Sequence, residues 1–403
     1  MGTYTGTSGN DTITPALLSP GVTASPAGSV PSGADDTLSG EEGDDRLEGS
    51  GGNDTLNGGD GVDALFGGSG DDVLNGGSDG DTMRGGAGND TYYVFSASDD
   101  VQELDQLVLP GTGGLDTVLT GISYTLNDNL ENIAILGASD LNATGNGLDN
   151  ILTGNSGSNI LDGMAGDDTL DGGGGEDVLI GGSGDDSYIV DSSGDVAFER
   201  SEGAASGGID TVSASVSYQL GFGIDDAGLG GSGALKLTGN SLDNVLSGNN
   251  GNNDLFGVGG DDDLMGLKGA DVLSGGSGAD RLAGDRGDDR LSGGGGNDTF
   301  VFSSRATAGD RITDFRNGSA NNDSFEVDAS GFGGGLKAGD LRASQFVSQA
   351  EGHEALDKND RFIFDRSDDT LWFDSNGSRN GGVRLLADLD SNVALTESDI
   401  FLV

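Results

Sequence analysis

Single apolar residues recur at every ninth position through three long stretches of the chain. The first stretch runs Leu38, Leu47, Leu56, Leu65, Leu74, Met83 and Tyr92. The second runs Leu152, Leu161, Leu170, Leu179 and Tyr188, and the third Leu246, Leu255, Leu264, Leu273, Leu282, Leu291 and Phe300. Each sits between polar neighbours in a short segment such as Thr55-Leu56-Asn57, and glycine-rich segments separate the units. Side chains alternate along a strand, so this pattern predicts brief strands that point one apolar residue inward and polar residues outward. The glycines supply the positive-φ conformations that tight turns demand. One such strand alone buries almost nothing, so the units have to stack on one another.

Two residues before each apolar position stands an acid or an amide. Block one has Asp36, Asp45, Asp54, Asp63, Asp72, Asp81 and Asp90. Block two has Asn150, Asn159, Asp168, Asp177 and Asp186, and block three Asn244, Asn253, Asp262, Asp271, Asp280, Asp289 and Asp298. Aspartate fills 15 of these 19 slots, and an apolar residue follows in all of them. A disordered acidic linker would not keep that register.

Composition sharpens the picture. The chain has 403 residues with 79 glycines, 33% hydrophobic residues and a formal net charge of −51. Low hydrophobicity with high net charge marks a chain that cannot fold on apolar burial alone, so something cationic has to complete it. A polyanion of this strength argues against nucleic acid as a partner, because phosphate backbones call for Lys and Arg. Cysteine is absent, so no disulfide staples the fold. The start, MGTYTGTSGNDTIT, has neither the basic nor the apolar segment of a Sec-type signal, and no apolar run approaches a membrane span.

The unit G-G-x-G-x-D-x-U-x, read here in Gly85-Gly86-Ala87-Gly88-Asn89-Asp90-Thr91-Tyr92-Tyr93, resembles the RTX (repeats-in-toxin, hemolysin-type) calcium-binding nonapeptide. The resemblance implies an all-β fold: a right-handed parallel β-roll or β-helix solenoid with calcium in the glycine-rich turns. Two units would close one coil of 18 residues, stacking Asp36, Asp54, Asp72 and Asp90 along one edge and Asp45, Asp63 and Asp81 along the other. The expected metal residues are these seven, with Asp168, Asp177, Asp186, Asp262, Asp271, Asp280, Asp289 and Asp298. Stacked carboxylates one strand spacing apart, about 4.8 Å, repel by about 1 kcal/mol per pair in water and several times more near a protein surface. Calcium reverses the sign, since it takes six to eight oxygens, from carboxylates and from carbonyls that glycine leaves exposed. With no sulfur and a single histidine, zinc and copper are disfavoured. The asparagine slots offer an oxygen without charge. They read as opening coils that fold before calcium or without it, in the manner of asparagine ladders.

The expected organisation is residues 1–33 as a single repeat and proline-containing linker, 34–93 as block one, 94–143 as a connector, 144–190 as block two, 191–237 as a second connector, 238–302 as block three and 303–403 as a β-rich C-terminal cap. The connectors repeat at an offset of 94, Asp116-Thr117-Val118 with Asp210-Thr211-Val212 and Ser123-Tyr124 with Ser217-Tyr218, and read as longer strands that carry the solenoid onward. The block ends NDTYYV, DDSYIV and NDTFVF read as aromatic plugs that close each leucine stack. Gly9-Asn10-Asp11-Thr12-Ile13 resembles one isolated repeat, 25 residues before Asp36 and tethered by a stretch holding Pro15, Pro20, Pro26 and Pro31. It could fold back on its own roll or add to a neighbouring molecule, which would build a filament or layer. The closing residues Asp399-Ile400-Phe401-Leu402-Val403 resemble the uncleaved signal of type I secretion. The expected partners are therefore calcium, the type I secretion machinery and further copies of the chain, in an extracellular or bacterial cell-surface setting.

Catalytic signatures are lacking. His353-Glu354-Ala355-Leu356-Asp357 begins like H-E-x-x-H but ends in aspartate. Gly76-Gly77-Ser78-Asp79-Gly80 fits G-x-S-x-G spacing but lies inside the nonapeptide register, without a strand–helix elbow. Asp374-Ser375-Asn376-Gly377-Ser378 partly resembles a calcium loop, and Asp374 is one further metal candidate. It is no EF-hand, because Leu385 stands where the bidentate glutamate belongs. Its other reading is an Asn-Gly hairpin turn. The sequence thus points to a secreted calcium-binding structural protein, with a monomeric adhesive accessory as the rival and an enzyme as a third reading.

Overall fold

A computed structural model describes the chain except for residue 1 and residues 26–29, 104–112, 201–207, 306–308, 319–320, 334, 378–381 and 391–392. Pro26 and Ser378 therefore lie outside the described residues. The chain divides into two compact units, Met1–Gly208 and Ile209–Val403.

In the first unit the nine-residue clock becomes two parallel sheets. One runs Thr3–Thr5, Thr37–Glu42, Thr55–Asp60, Val73–Ser78, Thr91–Val94, Thr117–Thr120, Asn132–Ile135, Ile151–Thr153, Thr169–Asp171 and Ser187–Val190, each strand parallel to the next. The alternate repeats form the other side: Thr12–Thr14, Arg46–Glu48, Ala64–Ser69, Thr82–Ala87 and Asp100–Val101. That side resumes with Tyr124–Thr125, Asn142–Thr144, Ile160–Asp162, Val178–Ile180 and Val196–Phe198. Leu38 pairs with Leu56 and Leu56 with Leu74, so one coil is two repeats, and the chain is a parallel β-solenoid. Leu38, Leu47, Leu56, Leu65, Leu74 and Met83 are all fully buried, as the pleat requires of the single inward position.

The second unit repeats the scheme. Thr211–Ala214, Asp226–Leu229, Val245–Ser247, Asp263–Met265, Arg281–Ala283, Thr299–Phe302, Ser324–Val327 and Ile400–Leu402 run parallel in one sheet. Tyr218–Gln219, Lys236–Thr238, Asp254–Gly259, Val272–Ser277, Arg290–Gly295, Asp310–Ile312 and Val383–Leu389 run parallel in the other. Thr370–Asp374 and Phe362–Asp365 then add antiparallel, and Phe346–Gln349 completes the cap. The cap has a core of its own, in which Phe332 meets Phe373 edge-on at 5.0 Å and Phe362 lies 5.4 Å from Phe373.

Three expectations come out differently. The first connector does carry the solenoid onward, but its strands are only two to four residues long, no longer than those of the blocks. What varies is coil length: Thr91 pairs with Thr117, Thr117 with Asn132, and Asn132 with Ile151. The block-end aromatics do not close the stack. Tyr92 is buried between Leu74 and Val118, and Phe300 between Leu282 and Phe325, so the apolar column runs on past both. The isolated N-terminal repeat takes the first of its two options. Thr12 and Ile13 pair with Arg46 and Leu47 of its own block. Thr23–Ser25 and Leu17–Leu18 fold over the outermost strands antiparallel, which covers sheet edges that would otherwise invite a foreign strand.

Candidate metal centre

The register places the slot aspartates at the turns, one above another every second repeat. Oδ1 of each accepts the backbone N–H of the slot residue one coil earlier. Asp36 N–H donates to Asp54 at 2.7 Å, Asp54 to Asp72 at 2.7 Å and Asp72 to Asp90 at 2.7 Å. Asp45 donates to Asp63 at 2.7 Å and Asp63 to Asp81 at 2.8 Å. Blocks two and three repeat the bond from Asn150 to Asp168, Asp168 to Asp186, Asn159 to Asp177, Asp262 to Asp280, Asp271 to Asp289 and Asp280 to Asp298. An outer ladder of the preceding residues runs the other way: Asn53 N–H donates to Asp35, Asp71 to Asn53 and Asn89 to Asp71.

The second oxygen is the telling one. Oδ2 of Asp45, Asp54, Asp63, Asp72, Asp81 and Asp90 is buried and meets no protein hydrogen-bond partner, and the same holds for Asp168, Asp177, Asp262, Asp271, Asp280, Asp289 and Asp298. A buried, unsatisfied carboxylate oxygen is strongly unfavourable. Each of these oxygens lies over the glycine five residues earlier. A Cβ on Gly40 would collide with Oδ2 of Asp45 and meet the carbonyl oxygen of Gly58, and a Cβ on Gly58 would do the same with Asp63 and Gly76. The missing side chain thus leaves a seat lined by a carboxylate and a carbonyl oxygen. Burial pushes Asp54, Asp72, Asp90, Asp168, Asp262 and Asp289 up to about 7, with neighbouring carboxylates adding to the shift and the backbone N–H opposing it. Asp63, Asp81, Asp186, Asp271 and Asp280 rise to about 6 for the same reason.

The groups that line these seats are oxygens, the carboxylate throughout and a glycine carbonyl at Gly40, Gly58 and Gly257, which fits a hard divalent cation of calcium's size. The lone His353 stacks on Trp372 at 4.3 Å in the C-terminal cap. Gly76 of the G-x-S-x-G segment sits over Asp81 Oδ2, so the turn ladder uses that segment.

The ladders end differently from how they run. Oδ2 of Asp11 accepts the Thr7 N–H at 2.6 Å and hydroxyl at 2.8 Å, and Oδ2 of Asp36 accepts the Ser32 N–H at 2.9 Å. At the asparagine slots both ends of the amide find protein partners. Asn150 Oδ1 accepts the Asn146 N–H at 2.8 Å, while its Nδ2 donates to the carbonyls of Leu130 and Glu131 at 3.2 and 3.0 Å. Asn159 Oδ1 accepts from Asn155 at 2.9 Å and its Nδ2 donates to Leu141 at 2.6 Å. Asn244 and Asn253 do likewise.

Several ladder residues lie outside the nine-residue register. Asp90 N–H donates to Asp116 at 2.8 Å, Asp289 to Asp310 at 3.1 Å and Asp298 to Asp323 at 3.1 Å. Each precedes an apolar residue by two, as Val118, Ile312 and Phe325 show, and that is the one sequence signal that could have found them. Asp374 is placed otherwise. It ends a strand of an antiparallel hairpin, and its Oδ1 accepts the N–H groups of Asn376 at 2.8 Å and Gly377 at 3.0 Å, which is the clasp of a turn.

A parallel β-solenoid whose turns present paired carboxylate and glycine-carbonyl oxygens defines a calcium-binding repeat protein. Residues 32–65, 57–92, 144–179, 153–188, 238–273 and 274–303 match the family model of the RTX calcium-binding nonapeptide repeat (4 copies), and the chain carries these RTX repeats in all three blocks. No curated protein matches the chain. Among solved structures it is similar to the AlgE6R3 subunit of the Azotobacter vinelandii mannuronan C5-epimerase, at 29% identity over 40% of this chain and 78% of that one, with a TM-score of 0.18. It is also similar to the extracellular lipase LipA of Serratia marcescens, at 18% identity over 72% of this chain and 45% of that one, with a TM-score of 0.20. The fold rests on the strand register itself.

The two kinds of slot separate in a direct test. Asp54→Ala and Asp72→Ala each remove a ladder carboxylate and are expected to raise the calcium midpoint for folding of block one, by roughly tenfold if the loss is about 1.4 kcal/mol. Asn159→Ala is expected to leave that midpoint nearly unchanged while lowering the melting temperature through its lost hydrogen bonds. Calcium titration followed by circular dichroism reads both, and equal calcium losses in all three variants would undo the distinction.

Proposed function

We propose that this chain is a secreted structural protein that calcium folds and stiffens outside the cell, where it contributes to an extracellular layer or matrix. The observation that carries the reading is the set of buried aspartate oxygens without a protein partner, repeated through the blocks. A chain of formal charge −51 with a core one residue wide stays open where calcium is scarce. In that state it can pass an export apparatus, for which type I secretion, reading the C-terminal region, is the proposed partner. In an extracellular medium the ion binds, and the coils close. The fifteen slot aspartates are the proposed ligands; Asp374 holds its own turn and is left out of the set.

Association is proposed to be side by side. The N-terminal repeat is docked on its own block, and in the second unit Gly339–Asp340 covers Ile400–Leu402 antiparallel, so these strands are not left as open edges. No helix among the described residues is long and apolar enough to cross a membrane. The reading assigns the repeated ladder carboxylates to calcium, and His353 stacks on Trp372 in the cap. Light scattering and electron microscopy, each with and without calcium, test the role. Large assemblies are expected only in calcium. A calcium-bound monomer at every concentration would overturn the layer or matrix role in favour of a monomeric adhesive accessory.

A further inference from the structure

Beyond the last nonapeptide of block one the carboxylate ladder takes an unusual step. The coil that follows Asp90 is lengthened, so that Thr91 pairs with Thr117 rather than with a residue eighteen along. Asp116 comes to lie on Asp90, whose N–H it accepts at 2.8 Å. Asp90 is 1% exposed and Asp116 fully buried, and the second carboxylate oxygen of each meets no hydrogen-bond partner. Into this place the lengthened coil delivers a third acid. Oxygens of Asp90, Glu103 and Asp116 all lie within 4.8 Å of one another. The Tyr92 hydroxyl accepts the Gly85 N–H at 2.6 Å and donates to Glu103 Oε1, which orients that carboxylate. A Cβ on Gly85 would strike both Asp90 Oδ2 and the Tyr92 hydroxyl, so the glycine again keeps the seat open. Glu103 also lines an open cleft of about 650 Å³ with Arg84, Gln102 and Asn127.

We propose that Asp90, Glu103 and Asp116 form a junction calcium site, distinct in kind from the turn sites because two of its ligands, Glu103 and Asp116, come from the connector and lie outside the matched repeats. Three carboxylate oxygens at this spacing suit a cation that takes oxygens at about 2.3–2.6 Å. Occupancy ties the connector to the end of block one, so that calcium filling the block also orders the coil that continues it. The sequence repeats the elements at Asp186, Tyr188, Glu199 and Asp210. Within the first unit the Tyr188 hydroxyl likewise accepts the Gly181 N–H at 2.8 Å and donates to Glu199. The proposal rests on the calcium-binding reading above and extends it to Glu103 and Asp116.

Terbium, a calcium substitute whose emission is sensitised by a nearby tyrosine, tests the site in the full chain. Tyr92→Phe sets the emission due to every other site, and the difference from the parent chain is the Tyr92-dependent part. Glu103→Gln is expected to lose that part and to keep the calcium-loaded β spectrum, since the leucine column is untouched. Should Glu103→Gln not fold, Glu103→Asp, which draws the charge back by one methylene, is expected to weaken Tyr92-sensitised terbium binding by roughly tenfold, the scale of a displaced metal-site group. Tyr92-dependent emission that is absent from the parent chain, or that survives unchanged in these variants, would overturn the junction site. The dependence of the β spectrum on calcium is read separately and bears only on calcium-driven folding.

Discussion

In a chelator at neutral pH the chain is expected to lose most of its β circular-dichroism signal and its cooperative melt, and to recover both as free calcium rises through about 10⁻⁴–10⁻³ M, the extracellular range. The expectation comes from electrostatics. Slot carboxylates stack about 4.8 Å apart, and like charges at that range repel by about 1 kcal/mol per pair in water and by several times more near a protein surface. The core that would have to offset this is a single column of leucines on each side. The same carboxyls give the pH dependence its sign. Burial raises Asp54, Asp72 and Asp90 from an ordinary 3.8 to about 7, so without metal the fold prefers them protonated. The resulting stabilisation is complete below the ordinary value and disappears as pH rises through about 7. A calcium-free sample is therefore expected to gain β structure near pH 4 and lose it by neutral pH, while the calcium-loaded sample weakens on acidification as protons displace the ion. A chelated sample at neutral pH with the β spectrum and melting point of the loaded one would contradict the carboxylate ladder as the source of stability.

Gly58→Ala is expected to damage the calcium-loaded fold of block one strongly. Its Cβ would fall on Oδ2 of Asp63 and against the carbonyl of Gly76, the two oxygens assigned to the same cation. The neighbours are backbone and a ladder carboxylate, so neither can yield without disturbing the coil above. The calcium midpoint for folding should rise by roughly tenfold or more, about 1.4 kcal/mol for each factor of ten. Gly147→Ala is the control, because nothing lies within 4 Å of its Cβ. Its effect on stability should stay within about 0.5 kcal/mol. Calcium titrations of both variants check the pair. Equal midpoints would mean that the space over Gly58 is a matter of backbone packing and holds no ion.

Much of the fold was legible because a solenoid is local. Each strand faces a copy of itself two repeats away, so the period in the sequence is the period in space. The pairing of Leu38 with Leu56 and the stacking of Asp36, Asp54 and Asp72 follow from counting. Legibility failed where the coil length changed. Asp116, Asp310 and Asp323 continue the ladder at spacings of 26, 21 and 25 residues from the acids below them, off the nine-residue register. The docking of Asp11 against Asp45, whose Oδ1 accepts its N–H at 2.5 Å, spans 34 residues and depends on where the proline-containing loop lets the chain return. The aromatic block ends do not plug the stack because Val118 and Phe325 continue the column above Tyr92 and Phe300, at spacings of 26 and 25 residues that the nine-residue period does not announce.

The amino-acid order by itself determined the repeat, the inward column, the acidic edges and the need for a cation, because each follows from alternation along a strand and from charge. Tertiary structure alone decided that Oδ2 of ladder aspartates such as Asp54, Asp72 and Asp90 is left without a hydrogen-bond partner, and which carbonyls the asparagine amides reach. It also decided that an acid from a connector joins Asp90 and Asp116. Those outcomes depend on how one coil settles on the next to within an ångström, a distance that hydrogen-bond geometry resolves and residue spacing does not.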